Sequence, residues 1–406
     1  MREIEIWLLP NNGYETVPNF KNHLASYLRE HPAVSAFAKV RTLISLWEDL
    51  FRLIKNPHHR PRPDIIQIPA RWTSSLAHLG LLQDLRDLDG QLDLRKWFPP
   101  VQDNCRLEGS GRIYSLPWWM ELRVVFYHRD KLKRAGVEPE ALADWRGFKE
   151  ACAALAAAGF RYPVANPNPR ESVALTDVAP SVWSRGGYFF SADGSRSRFQ
   201  REEAYRAIGD YFDLVDRGWM PLKGQGGSVR KTLFSDDCAI ELAGRFPLPP
   251  STRRTRAADG LPKDIGVAPY PDGSGRGSAA LQVENLAMLR GVESPREVYA
   301  LLRELTRDTA AAGYARTIGA LPATEGELAK CLDACPEFKE VFRGAMGVMR
   351  TYPNMRVMGT LEKVFNRSME RLVSDVLHRD YNSEVLRREL IHAAAEIDYV
   401  LSLYGG

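Results

Sequence analysis

Residues 4 to 68 alternate between apolar runs short enough for strands and amphipathic runs long enough for helices, and this alternation limits the fold more than any other feature. Ile4 to Leu9 reads as a buried strand, with Trp7 in the core, and Phe20 to Glu30 as a helix with one apolar face. Ala38 to Ile44 reads as a second strand, Trp47 to Lys55 as a second helix, and Asp64 to Ile68 (DIIQI) as a third strand that stops at Pro69. Strand, helix, strand, helix, strand predicts a parallel sheet covered on both faces. Farther along, Asp144 caps a helix that ends at Gly159, and a second helix runs from Glu202 to Gly218. Short strands are expected in CAIELAG, IGVAPYP and LQVENLAML, then a helix in REVYALLRELTR, and helical periodicity from Gly326 to the end. An order of α/β, mixed, α/β again and then all helix predicts two bodies between which the chain crosses more than once.

Two bodies also suit the length. A chain of 406 residues exceeds the ~250–300 at which single cores stop growing. Hydrophobic content of 44% and charged content of 26% are those of a globular chain. No apolar run approaches the ~18 residues of a membrane span. The 55 basic and 51 acidic residues are interspersed, which excludes the concentrated footprint of a nucleic-acid binder. Five cysteines are few and odd in number, so no disulfide framework is indicated. Cys331 and Cys335 in CLDAC are expected on one helix face, as structural residues, since no histidine lies nearby. His58 and His59 read as solvated loop residues. KGQGGS at 223–228 and DGSGRGS at 272–278 lack the spacing of a phosphate-binding loop and read as plain loops. G-x-S-x-G, H-E-x-x-H and C-x-x-C are all absent, so no metal and no cofactor is expected. Glu121 and Glu284 offer the paired carboxylates of a glycosidase, but nothing in the sequence fixes their separation.

The stronger signal is aromatic. GRIYSLPWWM at 111–120 places two indoles where one β-type run meets another, as if the chain turned there. Trp72 follows the third strand, Trp183 stands just before Gly186 and Gly187, and Phe246 follows a strand-ending Gly244. Ligands of open parallel sheets bind beyond the carboxyl ends of strands. Aromatic faces mixed with polar groups suit a solute with apolar and hydroxyl surfaces, as a sugar has. Arg71 and Arg245, if they face a cleft, favour an acidic or richly hydroxylated solute, because guanidinium presents a fixed fork of donors. Glu121 enters a buried-looking strand, where an unpaired carboxylate is costly, so it needs a ligand or an ion pair with a neighbour such as Arg123 or Arg71.

In this order the motifs resemble the extracellular solute-binding proteins of ABC importers, in the cluster that holds many sugar receptors. RPDIIQI is similar to the family's P-D-hydrophobic strand, and GRIYSLPW to its G-K-hydrophobic-Y-G-L-P segment. VVFYHRDKLKRAGVEPEALADWRGF resembles its Y-N-K-D … F-K-K-A-G … W-x-E-F run, SVWSRGGYFF its W-x-x-G-G segment, and FSDDCAIELAGRF its F-x-x-G-K-A-A-M … G-x-W segment. Glu284-Asn285 replaces the family's usual glycine pair, Phe246 its tryptophan, and His128 its common asparagine. The resemblance implies a type II periplasmic-binding-protein fold, two α/β lobes with a ligand cleft between them and a helical C-terminal region. One lobe would take 1–115 and 270–318, the other 116–269 and 319–406, with Leu116-Pro117 as the first crossing and Trp118 and Trp119 entering the second lobe at the cleft. It implies a non-enzymatic, monomeric receptor for a sugar or related solute, with importer permease subunits as partners and no nucleic acid. The implied ligand contacts are Asn12, Arg71, Trp72, Trp118, Trp119, Glu121, Trp183, Gly186, Gly187, Arg245, Phe246, Glu284, Asn285 and Arg356. An extracytoplasmic location is implied as well. EIEIWLL so near Met1 lacks the build of a secretion signal, so either a signal has been removed or the same fold serves as a cytoplasmic sensor.

Overall fold

The computed structural model describes residues 2–11, 15–107, 109–165, 173–222, 232–247, 261–273 and 278–404. Within these, β1 (Arg2–Leu8), β2 (Val34–Val40), β3 (Ile65–Pro69) and β4 (Ser115–Leu122) belong to a larger sheet. The chain then builds a smaller sheet from β5 (Val124–His128), β6 (Val164–Ala165), β7 (Ile240–Ala243) and β8 (Ile265–Pro269), in the order β6-β7-β5-β8. It returns to the larger sheet with β9 (Ala279–Met288), β10 (Leu321–Pro322) and β11 (Met349–Arg350). The larger sheet runs β10-β4-β9-β3-β1-β2, with β11 pairing β9. β1 is parallel to β2 and β3, whereas β9 is antiparallel to β3 and β4. β9 arrives from the other sheet instead of through a covering helix, so the geometry that makes β-α-β neighbours parallel does not act on it. The sheet is therefore mixed.

Two expected boundaries move. The second strand lies earlier, at Val34–Val40, because helix Leu43–Lys55 begins where the Thr42 hydroxyl accepts a hydrogen bond from the Ser45 N–H at 3.1 Å. An N-cap outweighs the β-leaning run that includes Leu43 and Ile44. The expected crossing at Leu116-Pro117 is instead continuous strand, paired with β9 as far as Leu122 opposite Leu281. Val124 already belongs to the smaller sheet, which leaves Arg123 as the whole of the first crossing. Between Pro117 and Trp119 the register slips: Pro117 faces Asn285, Trp119 faces Glu284, and Trp118 is the extra residue of a β-bulge. This is what two adjacent indoles do here. The bulge draws both into one core cluster, with no turn of the chain.

Helix Trp145–Ala157 is capped by Asp144, which accepts from the Gly147 N–H at 2.9 Å, and Gly159 follows it at φ +94, where a side chain would be strained. Cys331 and Cys335 do not share a helix, since one helix ends at Asp333 and Pro336 starts the next; all five cysteines are free. The long C-terminal helices, Met358–His378 and Ser383–Tyr404, complete the core beside the smaller sheet. Residues 223–228 lie outside the described residues, as do 274–277 of the second glycine-rich stretch. No helix among the described residues is long and apolar enough to cross a membrane.

Candidate functional site

Because β1 and β3 are parallel, their carboxyl ends open on the same edge of the larger sheet. Asn11 follows β1, and Gln67 is the one polar residue of the otherwise apolar β3. The two amides lock face to face: Asn11 Nδ2 donates to Gln67 Oε1 at 2.8 Å and Gln67 Nε2 to Asn11 Oδ1 at 2.9 Å. Asn11 Nδ2 also donates to the Tyr314 hydroxyl at 3.0 Å, and the Leu9 N–H to Gln67 Oε1 at 3.1 Å. The second N–H of Gln67 is thereby aimed at Glu284 of β9, whose Oε2 accepts it at 3.0 Å. Burial pushes the Glu284 carboxyl up to about 7 against the pull of Gln67, Arg71 and Arg245, and the nearby Glu121 adds to the rise.

Arg71 and Trp72 occupy a single 3-10 turn directly after β3. Arg71 gives Nε to Glu362 Oε2 at 2.8 Å and Nη2 to Glu362 Oε1 at 2.6 Å, while Trp72 Nε1 donates to Oε2 at 2.7 Å. Glu362 stands on helix Met358–His378, whose apolar face packs beside the smaller sheet, so this fork ties the two bodies together. Both side chains are buried, at 6% and 3% exposure, and such a pair is hard to break because either partner alone would be left charged and dry. The Arg71 guanidinium also lies 5.0 Å from the Tyr352 ring, and Tyr352 is 5.1 Å from Trp183. The buried Tyr352 hydroxyl has no hydrogen-bond partner among the described residues.

A second arginine corner lies on β4. Trp119 opposes Glu284 across the ladder and Glu121 opposes Gln282. Arg245, two residues past β7, lays its guanidinium 4.5 Å from the Trp119 ring, holds Nε 3.4 Å from Glu121 Oε2 and donates to the Asn11 carbonyl. Gly244 lets Glu121 come so near, since a Cβ there would stand 2.8 Å from the Glu121 Cβ. Glu121 thus makes its ion contact with Arg245, and its charge also raises the buried Arg123 guanidinium. Gln282 Nε2 reaches across to the Thr176 carbonyl at 3.0 Å, on the helix Leu175–Ser184 beside the smaller sheet.

Arg71, Trp119, Glu121, Arg245 and Glu284 are therefore brought together, with Trp72 behind Arg71 against Trp47 at 4.8 Å. Other expected contacts are placed elsewhere. Trp118 is wholly buried, stacked on Tyr314 at 4.4 Å and edge-on to Phe20 at 6.0 Å, as a core residue. Asn285 points to the opposite side from Glu284, as alternation along a strand requires, and donates to Ser115 Oγ at 2.8 Å and the Asn104 carbonyl at 3.1 Å. Gly186 and Gly187 close helix Leu175–Ser184 through bonds to the Trp183 and Val182 carbonyls. Phe246 packs between Phe126 at 6.1 Å and Phe338 at 4.8 Å. Arg356 is exposed just before helix Met358–His378, and Asn12 lies outside the described residues.

Sequence reasoning passed over Asn11, Gln67, Tyr314, Tyr352 and Glu362. Gln67 carried a readable signal, a lone amide in the run IIQIP; Glu362, 291 residues from Arg71, carried none. No cluster that could hold a metal ion occurs among the described residues. Burial pushes the Cys105 thiol up to about 12, which keeps it protonated and a poor nucleophile.

Comparison with known proteins gives the site its context. A family model described as bacterial extracellular solute-binding protein matches residues 55–338. No curated protein matches the sequence. Among solved structures, the GacH receptor of Streptomyces glaucescens, described unliganded and with acarbose, is similar with TM-score 0.77 at 15% identity, covering 98% of this chain and 99% of its own. An ABC transporter solute-binding protein of Thermotoga lettingae bound to α-D-tagatose gives 0.78 at 15% identity over 99% and 100%. The maltose-bound MalE3 of T. maritima gives 0.78 at 19% identity over 98% and 99%. The chain thus has the two-lobed fold of these proteins.

Proposed function

The chain belongs to the bacterial extracellular solute-binding proteins, and from that premise we propose that it captures a sugar or related polyhydroxylated solute between its lobes and delivers it to an ABC importer. The observation that carries this reading is the amide-to-carboxyl relay from Asn11 through Gln67 to Glu284, set beside the Trp119 ring at the strand ends. Oriented acceptors next to an aromatic face match a ring that has hydroxyls at its rim and C–H groups on its faces. The acarbose, α-D-tagatose and maltose bound in similar structures support it. The closing lobes are the body around the larger sheet, 2–122 with 279–322, and the body around the smaller one, 124–269 with 358–404. Solute bound to the first body raises the closed population by the contacts that the second adds. The solute leaves unchanged, the receptor works as a monomer, and it does so outside the cytoplasm.

A thermal-shift screen of mono- and oligosaccharides, sugar acids and polyols tests this. A true ligand at ~100 times its Kd adds ~2.7 kcal/mol, a rise of a few degrees for a chain of this size. A panel with no shift, set against a clear shift from amino acids or peptides, would overturn the sugar assignment.

A further inference from the structure

The two arginines at the strand ends invite an acidic solute, yet each already faces a carboxylate. Arg71 gives two of its donors to Glu362. Arg245 is engaged by Glu121, by the Asn11 carbonyl and by the Trp119 ring. Glu284 is the group left incomplete. Among the described residues it accepts one hydrogen bond, from Gln67, and that donor is neutral. A carboxylate has about four acceptor positions, so most of its capacity remains to be filled. Gln67 cannot turn away to relieve this, because Asn11 holds its amide from both sides.

We infer that Glu284 sets the class of solute: the cleft selects one that donates hydroxyl or ammonium hydrogen bonds to this carboxylate and discriminates against anionic sugars. This rests on the sugar-binding reading above. The charges around Glu284 agree with it. Arg71 comes from the turn after β3, Arg245 from beyond β7, Glu121 from β4 and Glu362 from helix Met358–His378. The charges of the buried Arg123 and of Asp177 also reach this group, through Glu121 and Tyr352, so with Glu284 ionised four carboxylates stand against three guanidiniums. Tyr314 and Tyr352, the nearby phenols, are pushed up by burial and stay neutral. A second anion would enter a site already one negative charge in excess, whereas a donor completes it.

The same geometry makes capture depend on pH. A solute hydroxyl donates best to the ionised carboxylate, because charge-assisted hydrogen bonds are the stronger ones. Burial holds the free carboxyl at about 7, so the competent fraction falls about tenfold from pH 8 to pH 6 and the apparent Kd rises in proportion.

The test is isothermal titration of the full chain with maltose, D-tagatose, D-glucosamine and D-glucuronate at pH 6.0 and 8.0, for the native protein and Glu284→Gln. The expected result is that maltose, tagatose or glucosamine binds more tightly than glucuronate, with an affinity roughly tenfold higher at pH 8.0, and that Glu284→Gln removes the pH dependence. Preference for glucuronate, or pH-independent binding of a neutral sugar, would overturn the inference and leave the sugar reading standing. No binding by any of the four would count against both. An arm without solute stands beside it: the infrared difference between native protein and Glu284→Gln should contain a carboxyl that titrates near pH 7. A carboxyl titrating below pH 5 would also overturn the inference, whether or not the variant is less stable.

Discussion

Trp118 and Trp119 are neighbours in the chain and strangers in the fold. Trp118 is the extra residue of the bulge, stacked on Tyr314 at 4.4 Å with Phe20 edge-on, and its neighbourhood is that of a sealed aromatic core. Trp119 lies in register with Glu284 and beneath the Arg245 guanidinium, at the corner where Glu121 also ends. Both indole N–H groups are buried without a partner among the described residues, so burial alone does not tell them apart. What differs is the cover. Apolar rings fixed in two helices lie over one indole, and over the other lies a side chain that is 29% exposed and can withdraw. An aromatic residue becomes available to a solute when its cover can move.

The most direct way to break this comparison is truncation. Trp118→Ala should cost about 3–5 kcal/mol in urea unfolding, the range for removing a large core ring. Trp119→Ala should cost less stability and instead weaken solute affinity by about 1–3 kcal/mol, the worth of a stacking face at a binding hot spot. Equal losses of stability with unchanged affinity would show that both rings serve the core.

That difference was not legible in the sequence. The run GRIYSLPWWM gave both indoles one context, and only the slip from Asn285 to Glu284 separates them, a register event fixed by a strand about 165 residues away. The β-α-β-α-β start was legible, because apolar spacing follows from each element's own geometry. Glu121 could be seen to need a partner, but Arg245 could not be identified as that partner from sequence spacing, nor Glu362 as the partner of Arg71. The lone amide of IIQIP was readable in principle: a buried polar residue in an apolar strand demands a partner, and Gln67 has three.

A gentler perturbation targets the movable cover. Arg245→Met keeps an apolar stem over Trp119 and removes the charge. Because Arg245 is partly solvated and its contact with Glu121 is 3.4 Å, the stability loss should stay below about 1 kcal/mol. Glu121→Gln should behave alike in unfolding, and solute titration should register both changes more strongly than the melting temperature does. A drop of several kcal/mol in stability for either would show the corner to be a structural brace, and the movable-cover account would fail.

The sharpest contrast is in pH. On the Trp118 side, His23 lies 6.2 Å from that indole and 5.2 Å from Tyr314, with Nε2 buried and unpartnered. Burial lowers its imidazole to about 4, against the pull of the Leu305 carbonyl and Glu304, with Arg307 adding to the fall. The unfolded chain, with histidine near 6.5, therefore binds more protons than the fold between about 4 and 6.5, and stability drops as pH falls through that window. On the Trp119 side the sign is reversed. Glu284 holds its proton up to about 7 in the fold and to about 4.5 when unfolded, so its contribution declines as pH rises through that interval. Between pH 7 and 6 the His23 effect should amount to less than about 1 kcal/mol, because only part of one proton is taken up. Urea unfolding of His23→Gln and Glu284→Gln across pH 5 to 8 checks both signs: relative to the native protein, the first substitution should remove a contribution that rises with pH and the second one that falls with pH. If both substitutions change the slope in the same direction, the two sides of the bulge share one electrostatic environment, and the division between sealed core and openable corner is wrong.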